Sequence, residues 1–248
     1  MNINYVQNLM RRISVLLCVV CVCLSARAQS TYAVSPLKEQ ISIDGRWDKP
    51  VWSKVPALRI KNRMGDEPKF QPVTEAKVRY DTSNVYVIFR VRDKYVKSTV
   101  TSYNGSVSGD SCVEFFFAPN TEEPLQYFNL EVNAGGTPLI FFITNPWTQF
   151  VKLPDTAIAK IEIAHSLPAV VDPELTEAVT WTIEYRIPLD MLKEFTKVSR
   201  PAPGVSWRAN FYKTGSETSN PHYYTWSPVS NPIPNFHLPA YFGQINFK

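Results

Sequence analysis

One carboxylate interrupts an apolar run in the segment GDSCVEFFFAP, which spans residues 109–119. Placing an unpaired carboxylate among apolar groups costs a large amount of free energy, so Glu114 needs either a polar partner or a ligand. Similar polar residues recur in other segments that are otherwise rich in apolar residues; they are Glu131, Asn133, Glu184, Arg186, Arg208 and Asn210. The chemistry that these residue types can support depends on whether they share one surface.

Alternation within this segment predicts where Glu114 points. Successive side chains of an extended strand point to opposite faces. Val113, Phe115 and Phe117 then share one apolar face, and Glu114 lies on the opposite face beside Cys112. The same alternation recurs in the other segments. Several strands are therefore predicted to have one apolar face and one face rich in Glu, Arg, Asn and Tyr.

A sheet face with these side chains suits a sugar. Charged groups make strong, directional hydrogen bonds to hydroxyl groups, and aromatic rings can stack on the apolar C–H side of a pyranose. Two alternatives stay open. The charges could form cross-strand ion pairs on a solvated face, or Glu114 with Glu131 or Glu184 could be the carboxylate pair of a glycosidase. The sequence has no G-x-S-x-G nucleophile motif.

The elements that position these residues are predicted to be strands. β-Branched and aromatic residues alternate with Pro, Asn, Asp and Gly, which is typical of strands separated by turns. A hairpin is predicted from residues 76–80 and 85–91. Further strands are predicted at residues 112–117, 126–133, 138–143, 158–163, 179–187, 205–213, 223–227 and 241–247. With one short helix at residues 189–195, the pattern predicts an all-β fold, an antiparallel two-sheet β-sandwich of the jelly-roll or immunoglobulin type.

Residues 1–28 have the features of a secretory signal peptide. A basic start and an apolar run at residues 13–24 precede Ala26-Arg27-Ala28, a small-x-small cleavage pattern. Cleavage there predicts a secreted, periplasmic or cell-envelope protein, with residues 29–248 as a single domain without a membrane span. This part of the chain has 23 basic and 22 acidic residues, a balance that gives no support to nucleic-acid binding. Its one cysteine is Cys112, so neither a disulfide within the chain nor a cysteine zinc site is expected.

The order of the motifs carries a further signal. ISIDGRWDKPVWSKV is followed by AKVRYDTSNVYVIFRVRD, GDSCVEFFFAP, YFNLEVNAGGT, WTIEYRIPLDML, SWRANFYKTG, YTWSPV and NFHLPAYFGQINF. Over residues 36–248 this succession resembles the family 9 carbohydrate-binding modules, especially the stand-alone proteins secreted by bacteria of the Bacteroidetes type. The resemblance implies a β-sandwich of two antiparallel sheets, and a secreted, non-catalytic protein that binds oligo- or polysaccharide.

The resemblance also implies roles for individual residues. In characterised modules the Glu of the D-S-V-E motif contacts sugar hydroxyls, and Glu114 occupies that position here. Two Trp side chains sandwich the terminal sugar ring in those modules; the matching segments offer Tyr103 before the motif, and Phe236, His237 or Tyr241 before the closing strand. Neither position is Trp, which leaves open an interaction or structural module that does not bind sugar. The other predicted sugar contacts are Glu131, Asn133, Arg186, Arg208, Asn210 and Trp226; Trp226, like Trp147, could instead anchor the core or a loop.

Calcium is the one cofactor that the resemblance suggests, and none is required. Some family members bind structural calcium through oxygen-rich loops, which makes Asp48 and Asp110 calcium candidates, with hydrogen-bonded turns as the alternative. Asn133, which is followed by two glycines, could likewise form a turn rather than contact sugar. The three histidines, His165, His222 and His237, do not have the spacing of a metal site. The sequence specifies neither the particular sugar nor the oligomeric state.

Overall fold

Strand pairing extends over most of the chain. A computed structural model describes residues 29–39 and 41–248, so the predicted signal peptide lies outside the described residues. The strands are β1 (Thr31–Pro36), β2 (Leu58–Ile60), β3 (Asn62–Met64), β4 (Val73–Tyr80), β5 (Asn84–Asp93), β6 (Val96–Ser98), β7 (Cys112–Ala118), β8 (Tyr127–Asn133), β9 (Pro138–Asn145), β10 (Gln149–Lys152), β11 (Glu162–His165), β12 (Val171–Leu175), β13 (Val179–Pro188), β14 (Ser206–Thr214), β15 (Tyr223–Thr225) and β16 (Gly243–Phe247). The helices are α1 (Pro50–Ser53), α2 (Asp155–Ile158) and α3 (Leu189–Leu192), with 3-10 turns at Val107–Gly109 and Pro239–Tyr241.

The strands form two layers that share β1. The first sheet has the order β10-β9-β8-β7-β14-β16-β1, and the second has the order β1-β4-β5-β13-β11. Thr31–Val34 pairs with β16 and Ser35–Pro36 pairs with β4, in both cases in parallel. β15 bridges β14 and β3, β2 pairs with β4, and β12 and β6 form a separate small sheet. The all-β prediction is confirmed, but the sheets are mixed rather than wholly antiparallel, because one strand joins both layers.

The helical content differs from the prediction. The strand expected at residues 158–163 begins later than predicted, because α2 ends at Ile158 and β11 runs from Glu162 to His165. The acidic first residue of α2 favours a helix start beside the free backbone N–H groups. The helix predicted at residues 189–195 is only the single turn of α3. Within residues 29–39 and 41–248, no helix is long and apolar enough to cross a bilayer.

The core lies between the two sheets, where alternation predicts it. Val113, Phe115 and Phe117 are buried in it. Phe115 stacks on Phe211 of β14, with 4.6 Å between ring centroids, and Phe211 lies 6.1 Å from Phe89 of the second sheet. Aromatic pairs at these distances stabilise a core beyond the area they bury. These rings join the first sheet to the second as a sandwich.

A second apolar cluster covers the outer face of the first sheet, the face that points away from the core. Its members are Phe116, Ala118, Tyr127, Ile143, Tyr212 and Phe242, with Phe141 and Phe236 packed against them. All seven residues of β7 are consequently buried. Glu114 lies outside the core, as alternation predicts, but it is not on a solvated face.

Glu184 of β13 ties the N-terminal segment to the second sheet. Its Oε2 accepts hydrogen bonds from the backbone N–H groups of Asp44 and Gly45, at 3.0 and 2.8 Å. The same oxygen accepts from Lys49 Nζ at 2.7 Å, and Oε1 accepts from Trp52 Nε1 at 2.8 Å. Gly45 has a φ of 74°, a conformation that glycine adopts readily. The turn between Asp44 and Trp52 therefore closes around a buried carboxylate.

Replacing Glu184 with Ala should strongly destabilise the protein. The substitution removes the buried partner of Lys49, which keeps only Asp44, at 2.8 Å, as an ion-pair partner among the described residues, and it removes the acceptor of the Trp52 indole and of two backbone N–H groups. The free energy of unfolding should therefore fall by roughly 3–5 kcal/mol. The matched control is Glu162→Ala, which removes an exposed carboxylate paired with Arg186 at 3.1 Å. That loss should be under about 1 kcal/mol. Urea denaturation measures both variants, and equal losses would contradict the role given to Glu184.

Candidate functional site

A cleft of about 200 Å³ opens on the outer face of the first sheet. Glu114 of β7 and Glu131 of β8 lie in it, directly opposite each other in the strand ladder. Opposite residues of antiparallel strands have Cβ atoms roughly 5 Å apart, so the two carboxyl groups are close neighbours. The cleft is lined by Ser108, Glu114, Phe116, Glu131, Trp147, Thr214, Ser216, Tyr223, Pro234, Asn235, Phe236 and His237.

The two carboxyl groups are buried but have few partners. Glu114 is only 2% exposed, and no described residue forms a hydrogen bond or an ion pair with its side chain. Glu131 Oε1 accepts one hydrogen bond, from Asn129 Nδ2 at 2.9 Å. Lys213 lies on the core side of β14, where it pairs with Asp93 at 3.1 Å. The acid pair therefore faces the cleft with much of its hydrogen-bonding capacity unused.

Burial controls the ionisation of this pair. It raises the pKa of Glu114 well above the ordinary value, and the neighbouring charge of Glu131 raises it further, while Lys213 offsets part of the effect. Burial also raises the pKa of Glu131, to about 7, although the hydrogen bond from Asn129 opposes the shift. Interacting carboxyl groups titrate as a pair. Near neutral pH the pair holds a proton, so it can both donate and accept hydrogen bonds.

Aromatic rings form the walls of the cleft. Phe236 stacks on Tyr212, with 4.2 Å between ring centroids and 16° between ring planes. His237 Nδ1 lies 2.8 Å from the Tyr127 hydroxyl. Burial lowers the pKa of His237 to about 4, so its ring is neutral at pH 7. Trp147 stands at the rim, 4.6 Å from the His237 ring. These flat apolar surfaces flank the two acids.

The backbone of Trp147 is strained. Thr148 N–H donates to Asn145 O at 3.2 Å, closing a turn in which Pro146 and Trp147 are the central residues. Trp147 has a φ of 66°, and the third position of such turns favours Gly or Asn when φ is positive. Its side chain is nevertheless 69% exposed, so packing does not explain the choice of residue. Strain of this kind clusters at ligand sites.

The chain matches one protein family over most of its length. Residues 51–247 match the family described as carbohydrate-binding family 9. The chain belongs to this family. The resemblance read from the order of the motifs is confirmed, and the family 9 match spans strands from both sheets. No curated protein matches the chain in sequence.

Solved structures share the fold of this family 9 chain. A candidate carbohydrate-binding protein from Bacteroides uniformis ATCC 8492 has a TM-score of 0.80 at 22% identity, covering 89% of this chain and 100% of that one. A family 9 module from Caldicellulosiruptor kristjanssonii has a TM-score of 0.60 at 18% identity, in complex with cellotriose and with glucose alike. The alignments cover 88% of this chain and 94% and 96% of theirs. The likeness extends over nearly the full length of each.

Four of the predicted site residues come together in this family 9 chain. Glu114, Glu131, Phe236 and His237 all line the cleft, although they come from β7, β8 and the segment before β16. The first two lie on adjacent strands, whereas the last two arrive from more than 100 residues along the sequence. Their binding roles stay predictions, and their proximity is a finding.

Three other predicted residues lie near the first sheet, but their side chains bond to or pack against other parts of the protein. Arg208 donates to Pro239 O and Ala240 O at 2.8 and 3.0 Å. Asn210 bonds both the N–H and the carbonyl of Ser227. Trp226 packs edge-on against Phe211 at 5.6 Å in the core cluster. These contacts fix the long segment that follows β15 onto the first sheet.

The remaining predicted sugar contacts are not among the residues that line the cleft. Arg186 is on the second sheet and pairs with Glu162, so the expectation that it shares a face with Glu114 is wrong. Tyr103 is 44% exposed but is not among the residues that line the cleft. The Asn133 amide bonds Val100 O, Thr137 N and Asp110, as the turn alternative describes.

The two calcium candidates differ in their surroundings. Asp110 accepts hydrogen bonds from the N–H groups of Thr99 and Val100, both at 2.9 Å, and from Asn133. These donors already satisfy most of its carboxylate. Asp48 is exposed. Among the described residues, no three His, Cys, Asp or Glu side chains are grouped so that they could hold a metal ion. Calcium binding at either aspartate stays a prediction.

The sequence did not single out several residues of the cleft. Tyr223, Asn235 and the hydroxyl groups of Ser108, Thr214 and Ser216 lie in loops or at strand ends, where alternation assigns no face. For Trp147 the sequence allows either a sugar contact or a core or loop anchor. Its position after Pro146, between two strand-like segments, was the available signal, because a bulky residue in a tight turn needs a reason.

The acid pair should make stability fall as pH rises. Because burial raises the pKa of Glu131 to about 7 in the folded state, the folded protein binds more protons than the unfolded chain between about pH 4.5 and pH 7. The free energy of unfolding is therefore highest at the acid end of this pH window, where the pair is protonated, and it falls as pH rises through the window. We expect a loss on the order of 2 kcal/mol.

Urea denaturation across this window, on the wild type and on Glu131→Gln, measures the effect. The variant cannot titrate at this position, so the difference in unfolding free energy between the two proteins should change with pH. His237, whose lowered pKa acts in the opposite direction, is present in both proteins and largely cancels. A difference that stays constant with pH would show that Glu131 ionises normally.

Proposed function

We propose that the protein is a non-catalytic carbohydrate-binding protein and that the cleft around Glu114 and Glu131 is its sugar site. The observation that carries the proposal is an exposed Trp147, held in a strained turn, at the rim of a cleft with a buried acid pair. Membership of carbohydrate-binding family 9 supports the class of ligand. The relative from Caldicellulosiruptor kristjanssonii, solved with glucose and with cellotriose, supports it further.

Hydroxyl groups supply what the acid pair lacks. A sugar hydroxyl can donate a hydrogen bond to an ionised carboxylate and accept one from a protonated carboxyl group. Glu114 and Glu131 together hold a proton near neutral pH, so they are complementary to neighbouring hydroxyl groups on one ring. Hydrogen bonds to a charged acceptor are stronger than neutral ones, and strongest where water is excluded.

The walls and the size of the cleft suit a single sugar ring. Trp147 and Phe236 provide faces against which the C–H side of a pyranose can stack. The cleft volume of about 200 Å³ lies below the roughly 300 Å³ at which pockets for larger ligands begin. One ring would therefore enter, and the rest of an oligo- or polysaccharide would extend into solvent.

The arrangement of the acids argues against the glycosidase alternative. Hydrolysis needs two carboxyl groups on either side of the scissile bond. Glu114 and Glu131 are side by side on adjacent strands of one sheet face, so both would meet a sugar from the same direction. Glu184 is fully engaged on the second sheet by four hydrogen bonds. The side-by-side placement of one pair and the full engagement of Glu184 support a binding role.

We also infer that the protein is exported and that residues 29–248 form one domain. The basic, apolar and small-residue regions of residues 1–28 support export to the periplasm, the cell envelope or the exterior. The core cluster that draws residues from both sheets supports a single domain. Proteomic detection of a mature N-terminus at Gln29 would test the export inference.

Trp147→Gly should separate binding from stability. Glycine relieves the positive φ, so the free energy of unfolding should stay equal or rise by up to about 1 kcal/mol. Loss of the indole removes a stacking surface, and affinity for cellotriose or glucose should fall about tenfold or more. Isothermal titration calorimetry and urea denaturation measure the two effects.

The comparison variant is Tyr103→Ala. Tyr103 occupies a position where the family resemblance implies a stacking residue, but it lies outside the lining of the cleft. Its replacement should leave affinity unchanged. If Tyr103→Ala abolishes binding and Trp147→Gly does not, the sugar site lies elsewhere. If the wild type binds no mono-, oligo- or polysaccharide on a glycan array, the structural-module alternative replaces the proposal.

A further inference from the structure

The charge of the cleft is one-sided. Its described lining contains two carboxyl groups, Glu114 and Glu131, and no lysine or arginine. His237 is the one other titratable nitrogen in that lining, and its lowered pKa keeps it neutral at pH 7. Lys213 approaches from the core side of the sheet, but there it is paired with Asp93. A ligand in the cleft therefore meets negative charge that no neighbour in the cleft neutralises.

Other buried carboxylates in the described part of the chain have strong donors. Glu184 accepts from Lys49 and from three N–H groups. Asp110 accepts from two backbone N–H groups and from Asn133. Glu114 is buried to a similar degree yet has no such donor among the described residues. Because buried carboxylates are costly without partners, a donor from the ligand is the missing element.

The aromatic lining adds a second, independent feature. Trp147, Tyr223 and Phe236 border the same cleft as the acids. The faces of aromatic rings attract cations, most strongly where water is excluded. A small cleft that combines aromatic rings with carboxylates suits an ammonium group. A neutral sugar requires only aromatic rings and neutral hydrogen-bonding groups.

We propose that the preferred ligand of this cleft is an amino sugar with a free, protonated amine, bound with its ammonium group at Glu114 and Glu131. The inference rests on the proposed function, since it names the class of sugar. The ammonium group provides three N–H donors and one positive charge. It would satisfy Glu114, complete the partners of Glu131, and convert a repulsive acid pair into two ion pairs around one cation.

Three sugars that differ only at carbon 2 test this proposal. Glucosamine has an ammonium group there, glucose a hydroxyl group and N-acetylglucosamine a neutral amide. Isothermal titration calorimetry of the wild-type protein at pH 7 should give an affinity for glucosamine at least about tenfold higher than for either neutral sugar, as expected for a charged hydrogen bond.

Glu131→Gln should reduce that preference to a few-fold, measured as the ratio of the affinity for glucosamine to the affinity for glucose in the same variant. The matched control is Glu122→Gln, which removes the same charge from an exposed site paired with Lys197 and should keep the full preference. Cyclohexylamine, which has the amine but no hydroxyl groups, should bind more weakly than glucosamine.

The affinity for glucosamine should also depend on pH. Binding of a cation favours the ionised acids, so affinity should rise from about pH 5 to pH 7 as the pair ionises, and glucose should not follow that rise. Tyr127, Tyr212 and Cys112 are titratable groups near the pair; burial raises the pKa of each, so they stay neutral in this range. His237 is neutral above about pH 4, and Lys213 faces the core.

The outcomes are distinct. Glucose bound as tightly as glucosamine would overturn the amino-sugar inference and leave the proposed function intact. The amino-sugar inference would also be overturned if cyclohexylamine bound as tightly as glucosamine. The same holds if calcium, added as calcium chloride, bound more tightly than glucosamine and if Glu131→Gln abolished that calcium binding. If neither the three sugars nor cellotriose bound to the wild-type protein, the proposed function itself would be overturned.

Discussion

Strand β7 is covered on both faces, by the sandwich core on one side and by the cluster that includes Phe236 and Phe242 on the other. This double coverage removes water from Glu114 although the residue points away from the core. Desolvation raises the pKa of its carboxyl group, couples it to Glu131, and strengthens any hydrogen bond that a ligand makes there. The same two residues on an open sheet face would be ordinary solvated carboxylates. The properties of the cleft therefore depend on the segment that closes over the first sheet.

Glu184 and Glu114 are a natural comparison within one chain. Both are glutamates in strands with alternating apolar residues, and both point away from the core. Glu184 meets a turn whose N–H groups and Lys49 are aimed at it, so its charge stabilises the fold. Glu114 meets a cleft instead, and the fold bears the cost of an acid without a donor. A buried charge that the structure leaves unsatisfied is the kind that a ligand can use.

Family membership explains the fold of the protein, whereas the residues of the cleft determine what the cleft can bind. The family accounts for the sandwich and for the position of Glu114 in the strand. The cleft adds Trp147, which comes from the β9–β10 turn, and a second acid, Glu131, opposite Glu114. Arg208 and Asn210, which alternation makes candidates for sugar contact, instead fasten the segment that carries Phe236 and His237. They support the site through the backbone they hold.

The sequence by itself determined the all-β class, the hairpin of β4 and β5, the apolar face of β7, and the family. These follow from period-two alternation, turn residues and motif order, which are local properties of the chain. The parallel pairing of β1, the separation of Arg186 from Glu114, and the meeting of Glu131, Trp147 and His237 were decided only by tertiary structure. Alternation states which face of its own strand a residue occupies, but not which sheet that strand joins or which distant loop covers it. Those choices are made by packing between segments far apart in sequence, and the cleft is built from such contacts.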